Sequence, residues 1–270
     1  MTSPPIVDLL ASEWKSLSDL ADGFGEAEWD TPTDLPGWTV KDCYSHVIAT
    51  ERQVRGEPLP EFDATGLIHL TAPSSMFTEP GVAARRSLSG AQVLDEFRQV
   101  TAERVDELAS LPDEKWEEVG PTPLGEQSFQ AFMDIRLFDC WMHEQDVRRV
   151  VGLAGHLDGP IVEHALGRCA LALGFVVAKK AAAPDGSTVE INVTGPLARR
   201  LTVQVADGRG RLTDEPTDDP SVRLTMDEET LWCLGGGRWN AEAVLTEGLV
   251  SFDGDRALGE RIVRSLNFMI

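Results

Sequence analysis

The chain has 270 residues, 42% of them hydrophobic, and a formal charge of −21 at pH 7. That length and apolar content allow one large domain or two ordinary ones, each with a proper core. The acidity argues against nucleic acid or an anionic membrane as the main partner, and the absence of an unbroken apolar run of about 18 residues argues against a membrane span.

The opening segment MTSPPIVDLLASEWKSL lacks a basic stretch followed by an apolar one, so no secretory leader is expected. Within it Leu9, Leu10, Trp14, Leu17 and Leu20 recur at helical spacing and predict a first helix from about Val7 to Ala21. A second helix is predicted after DLPGW. Thr39 and Asp42 fit a Thr-x-x-Asp capping box, and Val40, Cys43, Tyr44, Val47 and Glu51 follow on one face. Residues 56–88 read as loop, with Pro58, Pro60, Pro73 and Pro80 as breakers. A third helix is expected from Gly90 to Leu111, a fourth from about Glu126 to Val151, and a fifth over IVEHALGRCALALGFVVAKKAAA. Helices of these lengths with apolar stripes imply an antiparallel bundle. Near AAAPDGST the pattern changes. TVEINV, RLTVQVA and SVRLTM alternate as strands do. DEETLWCLGGG reads as a capped helix, NAEAVLTEG as a short one, LVSFDG as a strand and DRALGERIVRSLNFM as a last helix. The expected fold is α followed by α+β: an all-α domain over residues 1–182 and a smaller α+β domain over 187–270. Four cysteines without CxxC spacing predict reduced thiols in a cytoplasmic protein.

The fourth helix raises a chemical question. Phe129, Met133, Leu137 and Trp141 share one face and Phe138 and Met142 lie on another, so the helix is expected to be buried. Its remaining stripe reads Phe132, Arg136, Asp139, His143, Asp146, Val150. Buried carboxylates are costly unless paired or bound to a metal. Asp139 and His143 are one turn apart and can reach the same point. If the second and fourth helices are neighbours, His46 can join them, giving two imidazoles and a carboxylate with open positions for zinc or another divalent ion. The competing reading is a hydrogen-bonded His143 and a helix-surface His46. Cys43 is either a further ligand or core filler. Asp146 either orients His143 or pairs with Arg148 or Arg149, and Glu51 either nears the site or lies on a solvated face. His69, His156 and His164 are assigned no role. GGGRWN lacks the strand and the Lys-Ser/Thr of a phosphate loop, although Arg238 within it has the fork that suits a carboxylate.

LPGWTVKDCYSHVIATE together with IRLFDCWMHEQDVRRVVG resembles the mycothiol-dependent maleylpyruvate isomerase family, and the stretch from VEINVTG to the end looks like a sterol-carrier-protein-like domain. The resemblance implies a DinB-like four-helix bundle that binds metal, followed by that smaller domain. It places the metal ligands at His46, Asp139 and His143, with Asp139 standing where the family has glutamate, one methylene shorter. It also implies an arginine of the second domain holding the thiol cofactor in catalysis, and Arg238 matches that position. The implied cofactors are a divalent metal, zinc foremost, and mycothiol as the thiol cosubstrate, acting on a small electrophile in detoxification or ring-cleavage chemistry. Coordination to a divalent cation deprotonates a thiol, so transfer of the thiol to the electrophile, or isomerisation by addition and elimination, is expected. The alternatives are a metal-dependent hydrolase that activates water, a carrier of an apolar ligand, and a DinB-like module without catalysis.

Overall fold

The computed structural model describes residues 5–63, 75–214 and 217–268 and divides into two units, 1–155 and 156–270. In the first unit α1 (Pro5–Leu20), α2 (Glu26–Trp29), α3 (Val40–Val54), α4 (Ser75–Ala83), α5 (Gly90–Ser110) and α6 (Asp113–Trp116) precede a hairpin of β1 (Val119–Thr122) and β2 (Gly125–Ser128), which leads into α7 (Phe129–Val151). Helices α1, α3, α5 and α7 pack as the expected bundle. Leu10, Trp14, Leu17, Tyr44, Ile48, Phe97, Met133, Phe138 and Trp141 fill its interior. The Tyr44 hydroxyl donates to the Leu17 carbonyl at 2.8 Å, so its one polar atom is satisfied there.

Two boundaries differ from the sequence reading in this unit. The fourth long helix starts at Phe129, not Glu126, because Ser128 caps it by accepting from the Ala131 amide, and residues 125–128 are spent on the hairpin. The stretch read as loop contains α4, which carries Pro80 within it. His69 and Pro73 lie outside the described residues.

The second unit opens with α8 (Pro160–Phe175), which continues through a π-helical turn to Lys180. Strands β3 (Thr188–Thr194), β4 (Arg199–Ala206), β5 (Arg209–Thr213) and β6 (Val222–Asp227) follow, then α9 (Glu228–Gly235), α10 (Ala241–Glu247), β7 (Ser251–Gly254) and α11 (Arg256–Ser265). The sheet order is β5-β4-β3-β6-β7, with only the β3–β6 pair parallel among the described strands. Val189, Ile191 and Val193 of β3 point into a core shared with Val203, Leu224, Leu231 and Ile262.

The helix α8 was expected to be a fifth member of the bundle, which put the domain boundary at 182–187. It packs instead on β4 and β5, and the units divide after Gly155. The contact is backbone to backbone: a Cβ on Gly174 would lie 2.4 Å from the Gly210 carbonyl oxygen, and one on Gly210 would lie 2.3 Å from that of Gly174. Over Pro160–Lys180 the helix has the length and apolar composition of a membrane span, contrary to the reading of the sequence, but 61% of that window is buried inside the protein.

Candidate metal centre

Local signals set the register of both helices that carry the polar stripe. Thr39 accepts from the Asp42 amide and Asp42 from the Thr39 amide, so α3 begins at Val40 and His46 falls two turns in. Ser128 starts α7 with a single cap, accepting from the Ala131 amide, and Asp139 and His143 stand one turn apart on the face turned to α3. The three side chains meet. His46 Nε2 lies 3.1 Å from Asp139 Oδ2, His143 Nε2 lies 3.7 Å from Asp139 Oδ1, and one ligand atom from each falls within 4.8 Å of the other two. Both imidazoles are about 95% buried, whereas the Asp139 side chain keeps a quarter of its surface exposed, so the cluster opens to solvent at the carboxylate.

The surroundings suit a cation. Burial lowers the His46 pKa and, with His143 and Arg136, outweighs the pull of Asp139, leaving a neutral imidazole with a lone pair to give. Burial alone would raise the Asp139 carboxyl, but Arg136, His46 and His143 hold it well below the usual carboxylate range. His143 Nδ1 lies 3.3 Å from Asp146 Oδ2, and Nε2 is the ring nitrogen turned to Asp139. The Nδ1 atoms of His46 and His143 are both buried and meet no hydrogen-bond partner among the described residues. Two imidazole nitrogens and a carboxylate, converging and partly open, fit a divalent transition metal.

The remaining candidates also resolve. Asp146 stands between the two partners left open for it: one oxygen lies 3.3 Å from His143 Nδ1 without a hydrogen bond, and the other lies 3.5 Å from Arg149, which also reaches Asp34. Arg148 pairs with Glu144 instead. Glu51 is not on a solvated face; it is fully buried between Arg104 and Arg136. Cys43 is buried and stands outside the converging set. Arg238 belongs to the second unit, just past the end of α9, half-buried, and donates to the Gly236 carbonyl at 2.8 Å.

Sequence reasoning missed Trp38. Its indole stacks over His143 at 5.8 Å between ring centroids and tilts over His46 at 5.3 Å. Its Nε1 donates to the buried Glu79 at 3.0 Å, and Glu79 pairs in turn with Arg86. The signal was present in LPGW, directly before the capping box, but only folding brings the ring over the site.

Comparison with known proteins gives two family matches. Residues 10–148 match the model of the mycothiol maleylpyruvate isomerase N-terminal domain, and residues 176–267 match that of the SCP-2 sterol transfer family. Two uncharacterized proteins of Mycobacterium tuberculosis, from strains CDC 1551 / Oshkosh and ATCC 25618 / H37Rv, are each 26% identical over 151 residues. The match takes in 55% of this chain and 57% of each relative, little more than half of their length. The crystal structure of a mycothiol-dependent maleylpyruvate isomerase is similar at a TM-score of 0.58 and 17% identity, over 94% of this chain and 96% of that one. A histidine-to-alanine mutant of such an isomerase is similar at 0.54 and 18%, over 88% and 93%. At these identities the likeness is one of fold.

Proposed function

Since the chain belongs to the mycothiol maleylpyruvate isomerase family, we propose that it is a metal- and mycothiol-dependent enzyme that isomerises a small electrophile or transfers the thiol to it. The observation that carries this reading is the convergence of His46, Asp139 and His143 across α3 and α7. These three residues would hold the ion, with zinc the first choice for two imidazoles and one carboxylate. A divalent ion there would supply acidity, keeping a thiol as its thiolate near neutral pH.

The chain's own residues do the rest. His46 offers a neutral ring and Asp139 a full negative charge. Asp146 sets a negative charge 3.3 Å from His143 Nδ1, and Trp38 covers the two rings and keeps water from that side. The exposed edge of Asp139 is the approach for thiol and electrophile. Arg238 supplies a guanidinium for the polar groups of the thiol cosubstrate. The protein works in the cytoplasm, where a low-molecular-weight thiol stays reduced.

The first test is metal content by mass spectrometry on wild type, His46→Ala, His143→Ala and Asp139→Glu prepared side by side. Near-stoichiometric metal is expected in wild type and Asp139→Glu, and none in the two histidine variants, all with unchanged helical content. Equal metal in all four would refute the ligand set. Turnover that needs metal but no thiol would replace the isomerase or transferase reading with a hydrolase.

A further inference from the structure

Beneath the candidate ligands lies a chain of buried charge. Glu51 of α3 is fully buried; its Oε2 accepts from Arg104 Nε of α5 at 3.1 Å and its Oε1 from Arg136 Nε of α7 at 2.9 Å. Arg104 and Arg136 are 2% and 3% exposed. Arg104 also pairs with Glu107 at 3.0 Å, and Arg136 Nη1 donates to Asp139 Oδ2. Two guanidiniums and a carboxylate, taken out of water together, are a poor source of stability, since well-packed apolar residues do as well or better. Their arrangement has a clearer consequence at its end. The Arg136 guanidinium donates through Nε to Glu51, through Nη2 to the Cys140 sulfur at 3.7 Å, and through Nη1 to Asp139. Oδ2 of Asp139 is thereby held by Arg136, with His46 Nε2 3.1 Å away, whereas Oδ1 is turned to His143 Nε2 at 3.7 Å.

We infer that Glu51 and Arg136 are a positioning pair: they clamp Asp139 so that Oδ1 is the oxygen presented to a cation, and they set the affinity of the site. This rests on the reading of His46, Asp139 and His143 as ligands. Arginine is required because its planar fork spans two carboxylates at once, whereas lysine carries the same charge as a single point. Glu51 is required because without it the guanidinium has no fixed seat and its charge stands uncompensated beside the ion. Partners one shell removed from a metal ligand commonly set affinity by about 10–100-fold.

Cobalt(II), followed through its visible absorption, tests this. The full chain is titrated as wild type, Arg136→Lys, Glu51→Gln, the double variant and His46→Ala, with circular dichroism as the folding control. Arg136→Lys and Glu51→Gln are each expected to weaken cobalt binding about 10–100-fold and to alter the absorption spectrum, with helical content retained. The double variant is expected to be little worse than the weaker single one, because both changes release the same clamp. If Arg136→Lys binds cobalt with wild-type affinity and spectrum while His46→Ala does not bind, the clamp is refuted and the ligand set stands. If wild type itself binds no cobalt, both readings fall. Should the lysine variant not fold, Arg136→Gln takes its place, with the same loss expected and the same result overturning the inference.

Discussion

Glu96 of α5 shows how much one carboxylate depends on the cations around it. Arg85 donates to it through two nitrogens at 2.9 and 2.7 Å, and Arg52 through a third at 3.1 Å. Partial burial would raise its pKa, but these guanidiniums outweigh that and hold it lowered. A carboxyl whose pKa is lower folded than unfolded stabilises the fold above its ordinary value of about 4.3, and the contribution is lost as pH falls through the folded value. Glu96→Gln is therefore expected to cost about 1–2 kcal/mol at pH 7, with the difference from wild type shrinking below about pH 4. Thermal melts at pH 7 and pH 3 check this, and an equal gap at both would count against it. At this scale spacing of four announced that Asp139 and His143 share one face of α7, whereas His46, on α3, meets them only because the two helices pack together. Trp38 and the partners of Glu51 were not legible, since an aromatic ring and a buried acid acquire their roles only from neighbours far away in sequence.

Elements were legible where a local device sets them. The Thr39–Asp42 capping box starts α3 as expected, and the glycine after Val151 takes the left-handed conformation that ends α7. The hairpin before α7 was missed because β1 and β2 span four residues each and lack an apolar alternation. The assignment of α8 failed for a different reason: an apolar stripe says that a helix is buried but not against what. Its partner is decided by the close approach of Gly174 to Gly210. Gly174→Ala is expected to destabilise the second unit by about 1–3 kcal/mol through overpacking, measured as a lower midpoint in thermal unfolding. Metal content should stay unchanged, since the ligands belong to the first unit. A wild-type melt would show that the helix can yield.

For the whole molecule, the change from helical periodicity to alternation announced two kinds of architecture, and both are present. The position of the break was not readable from that change, because α8 is helical in pattern yet belongs to the sheet. The role proposed for Arg238 of the second unit is tested at this scale. Arg238→Ala is expected to raise KM for the thiol on the order of tenfold, as loss of a charge-assisted hydrogen bond would, while metal content stays at the wild-type level. Steady-state kinetics with mycothiol as the varied substrate measures this, and an unchanged KM removes Arg238 from the site.

The contact of Gly174 with Gly210 also limits how this protein can change. A crowded pair in a core can be relieved by shrinking the partner when one side grows, but here both sides are already the smallest residue there is. A substitution at either position has no suppressor at the other. Repair would have to come from a shift of helix against strand, so the two glycines can be lost only together with the packing they permit.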